Sequence, residues 1–224
     1  MDRLHRIRSL LGNTAIDKLK KSTVMIVGCG AVGSFVIEAL ARSGVGHLIL
    51  IDFDTVEFTN INRQIFALNS TVGIKKVIVA KQRIFDINPE IMVDAIDMFF
   101  DKNSKIEIVP DFVIDAIDSV ESKIALYQWC NSKNIKFISS MGAARKTDIS
   151  QIKLSKISKT VVCPLASKIR HLIRDIGLPD FPVVFSTETP SALGDNNVLG
   201  SIITVTGVFG LIMANYAVNY IIND

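Results

Sequence analysis

Gly28-Cys29-Gly30-Ala31-Val32-Gly33 is the first place in the chain where residue types and spacing imply chemistry. Glycines at this spacing let a backbone loop approach a phosphate, and the N-terminus of a following helix favours negative charge. Asp52 stands 19 residues after Gly33, where an acid closing the next strand accepts hydrogen bonds from ribose hydroxyls. A nicotinamide, a flavin and an ATP enzyme all fit to this point. Asn60, Arg63 and Gln64 then follow the ribose acid, and Lys75-Lys76 opens a helix. Hydride transfer has no need of such a cluster. Displacing pyrophosphate does need it, because cations must neutralise charge developing on α- and β-phosphate oxygens without being consumed. Asp118 ends the run Val113-Ile114-Asp115-Ala116-Ile117-Asp118, and a carboxylate just past a strand end can hold Mg2+ through oxygen.

These side chains act together only if the chain delivers them to one edge of a sheet. Short β-branched runs alternate with helical patterns, which predicts β-α-β units around a parallel sheet. Strands are expected at 23–27, 47–51, 91–96, 112–114 and 136–138, and helices at 33–43, 75–87 and 120–133. Gly44 stops the first of these helices and Asn88-Pro89 the second. Beyond Ser140 the spacing predicts an exposed antiparallel strand over 152–157, a helix over 165–176 and a short strand over 183–185. The expected fold class is α/β, a doubly wound Rossmann-like sheet with a C-terminal antiparallel extension and a buried apolar C-terminal helix. A single domain over 1–224 is expected, with 1–140 as nucleotide-binding core and 141–224 as an extension on the substrate and dimer side.

Composition agrees with one sizeable core: 224 residues, 49% apolar, 21% charged, net charge +3 and mean hydropathy +0.37. Abundant Ile and Val exclude disorder, and 13 Gly with 6 Pro exclude collagen-like sequence. Cys29, Cys130 and Cys163 are too few and too scattered for a disulfide framework, and three histidines with no Cys-x-x-Cys predict no zinc site. Cys130 is expected in the core, Cys163 as a small apolar filler and His171 on a basic helix surface. The N-terminus lacks the apolar stretch of a signal peptide, so the cytoplasm is expected. Residues 198–222 carry no charge over 25 positions, long enough to span a bilayer. Their many small and polar residues instead predict close packing in a core or subunit interface, with peripheral membrane contact as the minor reading.

The glycine loop, Asp-Phe-Asp-Thr-Val, Asn-x-x-Arg-Gln, Lys76 and Asp-Ala-x-Asp occur in order, and in this the chain resembles the ThiF family of ubiquitin-activating-type adenylyltransferases. The resemblance implies that acids are activated as acyl adenylates on ATP. It also implies that Gly28, Gly30, Ala31 and Gly33 line the nucleotide, with Asp52 on the ribose and Asp54 nearby. Asn60, Arg63, Gln64 and Lys76 would contact phosphates, and Asp118 would hold magnesium. Arg6 is similar to the family's N-terminal arginine that reaches a partner subunit's ATP site, with Arg8 as the alternative, so a homodimer is implied.

The C-terminal half resembles the tRNA threonylcarbamoyladenosine dehydratase branch, at 139–146, 157–166 and 184–188. That branch implies a tRNA substrate and leaves room for a sulfur-relay partner protein. Ala144-Arg145 departs from the Gly-Asn or Ala-Asn expected there. Eight basic residues between Arg145 and Asp175 meet only Asp148 and Asp175, a local charge suited to a phosphate backbone or to a solvated face. Three other readings remain: adenylation of the C-terminal glycine of a ubiquitin-like sulfur carrier, a NAD-dependent oxidoreductase, and an idle nucleotide-binding scaffold.

Overall fold

Five apolar or β-branched residues in a row leave Thr23–Val27 no polar face, and the run forms β1, an interior strand of a seven-stranded sheet. The computed structural model describes residues 2–191 and 199–223; Val198, at the head of the uncharged stretch, lies outside the described residues. The remaining elements are α1 (His5–Leu11), α2 (Asn13–Lys21), α3 (Gly33–Ser43), β2 (His47–Asp52), α4 (Lys76–Ile87), β3 (Met92–Asp97), β4 (Phe112–Asp115), α5 (Val120–Ser132), β5 (Lys136–Ser140), β6 (Ile152–Lys156), α6 (Pro164–Asp175), β7 (Pro182–Ser186) and α7 (Ile203–Asn223). Strand order is β3-β2-β1-β4-β5-β7-β6. All neighbours run parallel except β6, which pairs antiparallel with β7.

The expected fold class is therefore the observed one. The chain winds outward from β1 to β3, then crosses back to place β4 beside β1. That reversal opens a crevice beyond the carboxyl ends of the strands, the position where open α/β sheets bind ligands. Helix α3 runs over the residues expected of it and ends where Gly44 adopts φ 87°, a left-handed conformation that glycine takes without strain.

Strand alternation sorts the core into two faces. Val24, Ile26, Leu48, Leu50, Phe112 and Ile114 pack with α3, α4 and α7, while Met25, Val27, Ile49, Ile51 and Val113 pack with Leu126 and Cys130 of α5. Helix α7 has a mean hydropathy of 1.5 and the length to cross a membrane, and half of it is buried. Its small residues explain how: a Cβ on Gly210 would stand 2.6 Å from the Val32 carbonyl and 2.7 Å from Phe35 Cβ, so only glycine permits this approach to α3. The close packing expected of that segment is observed.

The N-terminal helices were not among the expected elements. Leu4 is buried against Gly44, and Arg3 donates to the Ile87 carbonyl at 3.1 Å and to Asn88 Oδ1 at 2.8 Å. Those contacts are at the C-terminal ends of α3 and α4, which fixes α1 at the sheet edge opposite the crevice.

Candidate active site

The crevice between the ends of β1 and β4 opens into a cavity of about 750 Å³. Gly28 has φ +95°, and a Cβ there would stand 2.6 Å from the Ala116 carbonyl; a Cβ on Gly33 would collide with the Gly28 carbonyl. The loop therefore lies flat against the β4 end. Gly30 and Ala31 line the cavity just before the start of α3, and a helix N-terminus is a site suited to phosphate.

Asp52, 8% exposed, braces this loop. Its Oδ2 accepts from Cys29 N–H at 2.6 Å and its Oδ1 from Asp54 N–H at 2.8 Å. Burial pushes the carboxyl above its usual value, against the opposing pull of those two bonds and of Lys76.

Asp54, Asn60, Arg63, Gln64, Lys76 and Asp118 all line the same cavity, with Gly28, Gly30 and Ala31. Lys76 is buried at the first position of α4 with Nζ 2.6 Å from Asp54 Oδ2. Its neighbour Lys75 caps that helix and turns to the Phe53 carbonyl and Asp97, so only the second lysine serves the cavity. Arg63, half-buried, folds back onto the Thr59 carbonyl and Asn62. Asn60 closes its own turn by accepting from Glu57 N–H. Gln64 is buried, and its Oε1 has no hydrogen-bond partner among the described residues. Asp118 is an exposed carboxylate on the wall. No group of three or more His, Cys, Asp or Glu able to enclose a metal occurs among the described residues.

Arg6 does not join this set in its own chain. It lies exposed on α1, at the far edge of the sheet, and Arg8 is held by Asp2 and Asn13 at 2.9 Å each.

Sequence reasoning missed the polar knot under the cavity. Parallel pairing places Asp115 beside Ser139. Lys123 Nζ, fully buried, then reaches Asp115 Oδ2 at 2.7 Å and the Ser140 carbonyl at 2.8 Å, while Tyr127 OH reaches Asp115 Oδ2 at 2.8 Å. Asp115 Oδ1 accepts from Ile117 N–H at 3.0 Å. The knot thus pins the loop that carries Asp118, and a complete set of partners makes a buried pair of charges tolerable.

A second lobe of the cavity is lined by 140–146, by Cys163-Pro164-Leu165 at the start of α6, and by Pro190, Leu199 and Ser201. Arg145 has φ 59° and Val162 φ 65°. Asn adopts that left-handed region more readily than Arg, which accounts for an Asn being expected at 145. Cys163 is buried on this lobe and Cys130 in the core, while His171 is exposed on α6.

The ThiF family model matches residues 2–224. The chain belongs to the ThiF family. Among its ThiF-family relatives, a tRNA threonylcarbamoyladenosine dehydratase of Bacillus subtilis is 45% identical over 190 residues, covering 83% of this chain and 75% of the relative. The enzyme of that name from Haemophilus influenzae is 36% identical over 219 residues, covering 88% and 84%. The crystal structure of the Escherichia coli tRNA N6-threonylcarbamoyladenosine dehydratase in complex with ATP superposes with a TM-score of 0.93 at 36% identity, covering 99% of this chain and 94% of that one. The same enzyme in complex with AMP gives 0.93 at 35% identity, with the same coverage.

Proposed function

We propose that this protein is an ATP-dependent tRNA threonylcarbamoyladenosine dehydratase. The observation that carries the reading is the convergence of Gly28, Gly30, Asp52, Arg63, Lys76 and Asp118 on one cavity that is also lined by 140–146 and Cys163-Pro164-Leu165, part of the dehydratase resemblance. Overlap with proteins of that name, over 83% of this chain for one relative and 99% for the superposed structure, supports it.

The threonine carboxylate of the modified adenosine attacks the α-phosphate of ATP, forming an acyl adenylate and releasing pyrophosphate. The ureido group of the same nucleoside then attacks the activated acyl carbon, closing a five-membered ring as AMP leaves. The net change is loss of water. Because nucleophile and acyl group share one molecule, positioning gives a high effective molarity and no enzyme thiol is required. The protein's contribution is electrostatic. Arg63 and Lys76 neutralise charge on the phosphates, the glycine loop before α3 cradles them, and Asp52 holds the ribose.

Asp118 is the cavity carboxylate that would hold magnesium, since Mg2+ is commonly held by one or two carboxylates plus substrate, and the ion would supply positive charge toward the leaving pyrophosphate. Residues 1–140 handle the nucleotide in this reading, and 141–224 the substrate and a second subunit. Arg6, remote from its own cavity, completes the partner's site in a homodimer that works in the cytoplasm. The test is release of AMP and pyrophosphate from ATP on addition of tRNA bearing threonylcarbamoyladenosine. Release that is equal with the unmodified tRNA, or absent with both, overturns the reading.

A further inference from the structure

We propose that Lys146 holds the substrate's carboxylate in the second lobe of the cavity, acting as its counter-ion before adenylation. The inference deepens the dehydratase reading and rests on it: the ligand is an amino-acid carboxylate carried on a nucleoside.

Lys146 is 3% exposed and lines the cavity. Its ammonium donates to the Glu188 carbonyl oxygen at 2.6 Å, and no carboxylate forms an ion pair with it among the described residues. The Glu188 carboxylate attracts the ammonium without forming an ion pair with it, and is turned to the backbone N–H groups of Thr147 and Asp148, each at 3.0 Å. An ammonium has three protons to donate, and one carbonyl satisfies one of them. Burying such a charge without an anion is costly, and proteins ordinarily pair it. Burial accordingly pushes Lys146 below the usual lysine range.

Ser122 gives an independent sign of a ligand. It lies in the first turn of α5, is 3% exposed and lines the same cavity, and its Oγ has no hydrogen-bond partner among the described residues. The N-terminus of α6, at Cys163-Pro164, opens onto the cavity as well, and helix N-termini favour anions. The cation and the helix end favour negative charge, and the unpartnered hydroxyl can donate to it.

Position separates this anion from the nucleotide. The loop bearing Lys146 follows β5 and the glycine loop follows β1, with β4 between them. Strand spacing of ~4.8 Å puts the strand ends from which the two loops spring about 10 Å apart. Asp118, on the loop that follows β4, lines the same cavity as both loops.

The experiment measures binding of one tRNA in two forms, with threonylcarbamoyladenosine or with plain adenosine beside the anticodon, in the presence of a non-hydrolysable ATP analogue. Lys146→Gln keeps a donor for the Glu188 carbonyl and removes the charge. Relative to wild type it is expected to bind the modified tRNA at least ~10-fold more weakly, the worth of a charged hydrogen bond, with the unmodified tRNA and the ATP analogue unchanged. Equal weakening toward both tRNAs would place Lys146 on a backbone phosphate, weaker binding of the analogue would place it on the nucleotide, and an unchanged profile would leave it without a ligand; each overturns the inference. Should Lys146→Gln melt early, wild-type protein gives a second measurement. Modified tRNA with its carboxylate methylated is expected to bind at least ~10-fold more weakly than the free acid, and equal binding overturns the inference. Wild-type protein that binds both natural tRNAs alike and, with ATP in place of the analogue, releases no AMP with either would instead overturn the dehydratase reading itself.

Discussion

Asp52 Oδ2 accepts a hydrogen bond from the backbone N–H of Cys29 at 2.6 Å. The acid placed for the ribose is therefore also the brace of the phosphate loop. Asp52→Ala is expected to weaken ATP binding by roughly 10²-fold and to lower stability by about 1–3 kcal/mol, because a buried loop amide loses its acceptor. Isothermal titration and urea denaturation on the same preparation check both. Loss of ATP binding with unchanged stability would separate the two roles and contradict the brace.

Arg63 and Asp118 stand in more open parts of the cavity wall. Arg63→Ala and Asp118→Ala are each expected to lower AMP release by roughly 10²-fold or more, by analogy with removing one electrostatic stabiliser from a transition state. Thermal midpoints are expected to stay at the wild-type value. Near-normal rates in both variants would remove them from the reaction.

Much of the fold was legible because its signals are local. Helix α3 falls on its expected residues since a glycine able to take φ 87° follows its last turn, and β1, β2 and β4 carry near-continuous apolar runs. The adenylation cluster was legible for a related reason: Asp52 to Lys76 lie within one strand–loop–helix passage. What stayed hidden depends on pairing between distant segments. Lys123 reads from sequence as one more helix lysine, and only the register of β4 on β5 brings Asp115 and Ser139 to it. The first two helices were missed because α2 buries only Ala15, Ile16 and Leu19, and α1 buries none of its own residues. Lys146 counted as part of a basic stretch, and nothing in its neighbours announces burial.

Glu38 ties α3 to α4 by accepting from Arg42 at 2.7 Å and Arg83 at 2.9 Å. Burial alone would raise this carboxyl, but the two guanidinium groups outweigh it and hold Glu38 below the usual glutamate value of 4.5. The folded state thus favours the ionised form, so the contribution is complete above 4.5 and is lost as pH falls through the lower folded value. Glu38→Gln is expected to cost about 1–2 kcal/mol at neutral pH after solvent screening, and less in acid. Urea midpoints across the acid range check this, and a gap that stays constant to the lowest pH contradicts it.

Arg6 is exposed on α1 and does not line the cavity of its own subunit, so its proposed role requires a second copy. Arg6→Ala and Arg63→Ala are each expected to be inactive as homodimers. After subunit exchange the mixed dimers are expected to regain turnover, since one of their two sites then carries both arginines. AMP release before and after mixing is the readout, and no recovery in demonstrably mixed dimers contradicts action between subunits.

The central claim is that this cavity turns a carboxylate on tRNA into a ring by way of an adenylate. Its most direct measurement is the mass of the nucleoside recovered after incubating the protein with ATP, Mg2+ and tRNA bearing threonylcarbamoyladenosine, followed by gentle digestion. The account predicts a nucleoside lighter by one water, formed only when ATP is present. A nucleoside of unchanged mass from competent tRNA would contradict it.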